Sequence, residues 1–209
     1  MKSPFTLVLT VFTFFFLNTI STDPVKNKKT SPNNDSGYIF DVNVSKINSE
    51  YSEIPSAVFR NKLVMVSSKK IGAIGNGTDK NTQQPYYNLF CSDINKGADL
   101  SQPLLFSRIL YSKGNEGQVS FSPDQFTIYY TNSTRKNSKN YQLYKANLKP
   151  NSSGKWINQK QISISSEDYS IENPHVSSDG NFLYFSSNMK GGFGGFDIYK
   201  NRRQHKRAY

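Results

Sequence analysis

Five residues late in the chain, Gly191-Gly192-Phe193-Gly194-Gly195, have the composition of a loop that closes around an anion. Backbone N–H groups without bulky side chains beside them can converge on phosphate oxygens. A phosphate loop, however, needs Lys-Ser/Thr after its glycines and a helix behind them, and a dinucleotide loop also opens a helix. Here the strand-like Phe196-Asp197-Ile198-Tyr199-Lys200 follows instead. The glycines therefore serve positive φ and close strand approach rather than phosphate binding.

The carboxylates offer a second chemistry. Asp124 and Asp179 lie in the turn-like stretches Ser122-Pro123-Asp124-Gln125 and Ser177-Ser178-Asp179-Gly180. In such turns an Asp oxygen accepts the N–H two residues on. The pattern resembles the Asp-box hairpin of sialidases, where the Asp is structural as well. A glycosidase would need two carboxylates facing one cleft. Glu116, Glu167, Asp168 and Glu172 are the acids placed for that role, and nothing in their spacing converges them. His175 and His205 are too few for a zinc site without Cys or carboxylate partners at ligand spacing. Cys91 is the sole cysteine and reads as a small buried residue, leaving no internal disulfide. No catalytic residue, metal or cofactor is expected.

The elements that carry these residues repeat. Ser122–Ser133 (SPDQFTIYYTNS) lies on Ser177–Asn188 (SSDGNFLYFSSN) at an offset of 55, and the same frame lays Tyr141–Lys145 on Phe196–Lys200. A more divergent copy lies upstream. At an offset of 119, Pro55 falls on Pro174, Ala57 on Val176 and Leu63–Val66 on Phe182–Phe185, while Tyr87–Phe90 matches Phe196–Tyr199 at 109. The difference of ten residues places an insertion in the middle loop, KKIGAIGNGTDKNTQQP. Each copy reads as a short strand, a tight turn, a second strand, a variable loop and a third strand ending in an aromatic. A further strand such as Lys155–Ser163, anchored by Trp156 and Ile162, makes about four antiparallel strands per copy. The second strand of each copy is apolar on both alternating faces, so neighbouring sheets must cover both sides. The fold class is all-β, with β-propeller-type blades of four antiparallel strands, about three blades, in an incomplete propeller.

These residues resemble the TolB-like, WD-repeat-like propeller repeats of exported OmpA-family proteins in Gram-negative envelopes. The shared pattern is Pro, Ser-Pro-Asp-Gly, an aromatic strand, Ser-Asn, Gly-Gly-x-Gly-Gly and Asp-Ile-Tyr. The third copy follows it through Pro174, Ser177, Asp179, Gly180, Tyr184, Phe185, Ser187, Asn188, Gly191, Gly192, Gly194, Gly195, Asp197, Ile198 and Tyr199. The second keeps Ser122, Pro123, Asp124, Tyr129 and Tyr130, with Gln125 for Gly and Gln142 for Asp. The resemblance implies a protein-interaction or scaffold module whose partner is an envelope protein or a peptidoglycan-associated one.

At 209 residues the chain has room for one domain with appendages. Residues 1–21 read as a signal peptide, from Lys2 through the apolar Phe5–Leu17 to Thr19 and Ser21. Residues 22–53 are a linker with first-strand candidates between Tyr38 and Ser52, 54–200 the repeats (54–100, 116–163 and 171–200), and 201–209 a basic tail. The expected location is exported: periplasmic, outer-membrane-associated or secreted, with no transmembrane domain in the mature chain. Three blades do not close a propeller, so truncation of a longer protein is the expectation.

The net charge of +11 suits an anionic surface. Its concentration in Lys26–Lys29 and Asn201–Arg207 argues against nucleic acid. His175 at the inner rim, and Arg135, Lys136 and Lys139 on one loop, are the candidate partner contacts. The alternatives are a fragment of a glycosidase- or sialidase-like propeller enzyme, or a basic polyanion-binding surface protein.

Overall fold

The computed structural model describes residues 42–72, 75 and 77–203. The signal segment 1–21, most of the linker 22–53, and His205 with most of the 201–209 tail lie outside the described residues. The chain divides into two units, Met1–Val42 and Asn43–Tyr209, and the second carries all the described strands.

Three antiparallel meanders make up this unit. Blade 1 comprises β1 (Glu53–Phe59), β2 (Lys62–Ser67), β3 (Asn88–Asp93) and the two-residue β4 (Leu104–Leu105). Blade 2 comprises β5 (Glu116–Phe121), β6 (Thr127–Asn132), β7 (Gln142–Leu148) and β8 (Trp156–Gln161). Blade 3 has three strands, β9 (Ile171–Val176), β10 (Phe182–Ser187) and β11 (Asp197–Arg202). The starts of β5, β6 and β7 recur at β9, β10 and β11 with an offset of 55 in every case. The chain is therefore all-β, an open arc of propeller-type blades in which β1 touches β5 and β5 touches β9.

Burial on both faces of the second strand explains the stacking. On blade 2, Ile128 and Tyr130 pack with Val64, Val66 and Leu89 of blade 1, around an aromatic knot of Phe59, Phe121 and Trp156. Phe59 stacks on Phe121 with ring centroids 4.8 Å apart. On the opposite face, Tyr129 and Leu143 pack with Ile171, Val176, Leu183 and Phe185 of blade 3. Removing such area from water is the main favourable term in holding the blades together.

Side-chain direction corrects the alignment of the first repeat. Leu63 and Met65 face away from blade 2, beside Ile47 and Phe90, while Val64 and Val66 face it. In blades 2 and 3 the residues turned toward the preceding blade are Ile128 and Tyr130, then Leu183 and Phe185. Leu63 and Met65 thus correspond to Leu183 and Phe185, an offset of 120 rather than 119 on this strand. A slip of one residue exchanges the two faces of a strand. The cause is turn length: Phe59 pairs with Lys62 across the two residues Arg60-Asn61, whereas four residues separate Ser122 from Thr127 and Ser177 from Phe182.

Residues 42–52, where first-strand candidates were expected, contain no strand. They contribute Ile47 instead, buried against Met65 and Phe90 on the outer face of blade 1.

Candidate functional site

The two acid turns are superimposable in their bonding. The Ser122 Oγ–H donates to Asp124 Oδ1, Ser122 Oγ accepts the Thr127 N–H at 2.9 Å, and Asp124 Oδ1 accepts the Phe126 N–H at 3.0 Å. Ser177, Asp179, Asn181 and Phe182 repeat this arrangement, with Phe182 N–H to Ser177 Oγ at 2.9 Å and Asn181 N–H to Asp179 Oδ1 at 3.0 Å. Hydrogen bonds from Ser177 and Asn181 hold the Asp179 carboxyl at about 2, and those from Ser122 and Phe126 lower that of Asp124. Both acids are ionised turn braces. Gly180 has φ +73, while Gln125 occupies the same left-handed position at φ 59. The departure from Gly at Gln125 has a use: its Oε1 accepts the Arg60 N–H of blade 1's turn at 2.9 Å. A Cβ on Gly180 would come within 3.4 Å of Pro123 Cδ, so the two successive turns lie side by side.

The glycine cluster does close on an anion, and the anion belongs to the protein. Asp197 Oδ2 accepts the N–H groups of Phe193 and Gly194 at 2.9 and 3.0 Å. A Cβ on Gly192 would come within 2.0 Å of that same oxygen, and Gly191 has φ +100. Gly194 and Gly195 face no such restriction. Tyr199 donates its hydroxyl to the Met189 carbonyl at 3.0 Å, closing the loop from the other side. Pro174 is buried beside Asn173, whose φ is 52, at a bulge where β9 slips against β10.

Two of the four candidate acids do share a cavity. Glu116 and Glu172 line a space of about 250 Å³ together with Tyr141, Thr131 and Gln118. Glu116 is buried, and burial lifts its carboxyl to about 7 against the pull of two hydrogen bonds. Those bonds occupy both oxygens: Oε2 accepts the Leu89 N–H and Oε1 the Ser112 N–H, each at 2.7 Å. Glu172 Oε1 accepts the Ser170 hydroxyl at 2.7 Å. Glu116 thus clamps β3 and the 106–115 connection onto blade 2. Glu167 and Asp168 do not line this cavity. Burial also pushes up the Cys91 thiol, which disfavours a nucleophilic role.

One buried acid carries no motif in the sequence. Asp79, in the insertion of blade 1, accepts hydrogen bonds from Asn81 N–H at 2.9 Å, Asn115 Nδ2 at 3.0 Å and the Ser138 hydroxyl at 3.0 Å. Burial alone would raise this carboxyl, but the hydrogen bonds outweigh it and the net shift is downward. The insertion therefore staples blade 1 to blade 2.

The candidate partner contacts fall in two places. Arg135 is exposed, yet its Nε donates to the Lys113 carbonyl at 2.6 Å and its guanidinium lies 5.2 Å from the Tyr86 ring centroid. Lys136 and Lys139 are exposed on the same loop. His175 is exposed on β9, opposite Tyr184 of β10, on the face of blade 3 turned away from blade 2.

That face is the most distinctive surface of the described residues. Its Ile198 and Tyr184 occupy the positions of Leu143 and Tyr129 in blade 2, which blade 3 covers. His175 occupies the position of Ser120, whose Oγ accepts the Val176 N–H of the next blade at 2.9 Å. Ser56 makes the equivalent link from blade 1, accepting the Val119 N–H at 2.7 Å. Blade 3 thus presents the surface with which blade 2 binds its successor. Ile198 is exposed on this face, and Phe193 and Phe196 are exposed in the loop that leads into β11.

Comparison with models of protein families and with curated proteins finds no match. Among solved structures, a protein assigned as TolB from Agrobacterium tumefaciens is similar, with 15% identity, a TM-score of 0.41, and coverage of 68% of this chain and 39% of that one. TolB from Acinetobacter baumannii is similar at 18% identity with a TM-score of 0.36, covering 68% of this chain and 27% of that one. The chain therefore spans well under half the length of both, and its architecture rests on its own sheets rather than on this likeness.

Proposed function

We propose that this chain is a non-catalytic propeller-repeat module of the cell envelope or periplasm, of the kind found in OmpA-family-like proteins, and that it works by docking. The face of blade 3 that no other described strand covers carries this reading. Its His175, Tyr184 and Ile198 stand where blade 2 uses Ser120, Tyr129 and Leu143 to hold the next blade. The fitting occupant is a partner sheet of the same repeat class, because continuity with the interface between blades 2 and 3 sets its chemistry: aliphatic and aromatic residues, plus one N–H directed at His175. A second copy docking through blade 1 would first have to displace Ile47 from Met65 and Phe90.

The test is photocrosslinking in intact source cells from position 198 or 184, with position 153 as control. A single envelope protein bearing propeller repeats, captured from both face positions and not from 153, supports the reading. Glycan hydrolysis by the purified chain that Glu172→Gln abolishes would replace it with the enzyme alternative.

A further inference from the structure

Among the described residues, blades 1 and 2 have four strands and blade 3 has three. In blade 2 the outer edge of β7 is filled by β8, with Tyr144 opposite Gln161 and Leu148 opposite Trp156. The corresponding edge of β11 pairs with no strand among the described residues. An unpaired edge is a row of free N–H and C=O groups, and proteins either blunt it or use it to add a strand.

Beside that edge lies a groove of about 660 Å³ between blades 2 and 3. It occupies the space over which a fourth strand of blade 3 would pack. Trp156 of β8 shows the rule, since it packs against Phe106, which follows β4 of blade 1, with ring centroids 6.1 Å apart. The residue following β8 in blade 2 is Ile162, and it lines the groove.

The groove's charge is one-sided. Lys145, Lys160, Arg202 and Arg203 line it, and no carboxylate does. Lys145 and Lys160 stand directly opposite each other on β7 and β8, a like-charge pairing that costs stability unless an anion offsets it. Arg203 is fixed in place, its Nε donating to the Tyr129 hydroxyl at 2.9 Å and its guanidinium over that ring. Lys145, Lys160 and Arg202 form no ion pair among the described residues.

We propose that an extended acidic peptide segment of a partner pairs with the outer edge of β11 and lies in this groove. The backbone of β11 supplies the ladder, Ile162 an apolar seat, and Lys145 and Lys160 the preference for Glu or Asp. Six residues, the length of β8, suffice to fill it. This site is separate from the face carrying Ile198.

The test uses the full chain and three labelled decapeptides, followed by fluorescence anisotropy. The first is a strand-forming peptide of Glu, Thr and Val. The second is the same peptide N-methylated at alternate residues, and the third has Lys in place of Glu. The first peptide is expected to bind, to weaken at higher salt, and to slow amide hydrogen exchange across Asp197–Arg202. Lys145→Glu/Lys160→Glu is expected to weaken it by about tenfold or more. The N-methylated peptide should bind at least about tenfold more weakly, because its ladder is blocked. Ile198→Asp should leave this binding unchanged, so failure here and failure of the docking face are told apart.

No binding by the Glu peptide, or equal binding in the double variant, would overturn the proposal. So would equal binding of the N-methylated peptide without exchange protection, which would mark a polyanion contact instead of an added strand.

Discussion

Leu143 and Ile198 stand 55 residues apart at the same place in two consecutive blades, the first 0% exposed and the second 83% exposed. The same position is covered by the next blade at Leu143 and open among the described residues at Ile198. Leu143→Ala should cost about 2–5 kcal/mol, the range for a large-to-small change in a packed core. Ile198→Ala should move stability by no more than about 0.5 kcal/mol, as an exposed substitution does. Urea denaturation of the two variants against the parent chain measures both.

Trp156 is the only tryptophan, and it is buried among Phe59, Phe106 and Phe121 with no hydrogen-bond partner for its Nε1–H among the described residues. Trp156→Ala should cost about 3–5 kcal/mol through cavity formation. Trp156→Phe should cost far less, because it removes a buried donor that is already unpaired. The parent's emission should be that of a shielded indole and shift red on unfolding, giving a single-site readout of the interface between blades 1 and 2.

Glu116 makes stability depend on pH. Its carboxyl, ordinarily at 4.5, is lifted to about 7 in the fold, so the native chain holds this proton more tightly than the unfolded chain. The contribution is complete below about pH 4.5 and is lost as pH rises through about 7, on the order of 3 kcal/mol across the window. Thermal melts from pH 5 to 8 should therefore fall more steeply in the parent than in Glu116→Gln. Parallel slopes would show that Glu116 does not titrate in this range.

The glycine loop separates into two functions. Gly192→Ala should displace Asp197 from the Phe193 and Gly194 N–H groups and lower the melting temperature, whereas Gly195→Ala meets open space and should change little. Asp197→Asn in the parent should reproduce most of the Gly192→Ala effect, since both remove the same anchored anion. Differential scanning calorimetry of the three variants decides it.

Much of this was legible in the residues. Strands apolar on both faces demanded covered sheets, and the offset of 55 placed β9–β11 on β5–β7 without a gap, because turns of equal length join them. In the first repeat a single offset falls one residue out of register on the second strand, because its Arg60-Asn61 turn is two residues shorter than the turns of the other two. Asp79 carried no signal, since its partners Asn115 and Ser138 come from another blade and only folding brings them together. The Glu116–Glu172 cavity was invisible for the same reason, and the fate of Glu116 depended on the Leu89 and Ser112 N–H groups, which no side-chain pattern records. Arg135 looked like a free contact by type, but the Lys113 carbonyl and Tyr86 ring engage it.

The docking proposed for blade 3 requires the face carrying Ile198 to receive another blade. The direct measurement appends a duplicate of residues 164–203 after Arg203 and compares the effect of Ile198→Asp, at the original position, in the extended and parent chains. If the duplicate docks as blade 3 docks on blade 2, the substitution should be nearly neutral in the parent and cost about 3 kcal/mol or more in the extended chain, because it then buries an unpaired charge. An equal effect of Ile198→Asp in both chains would contradict the claim.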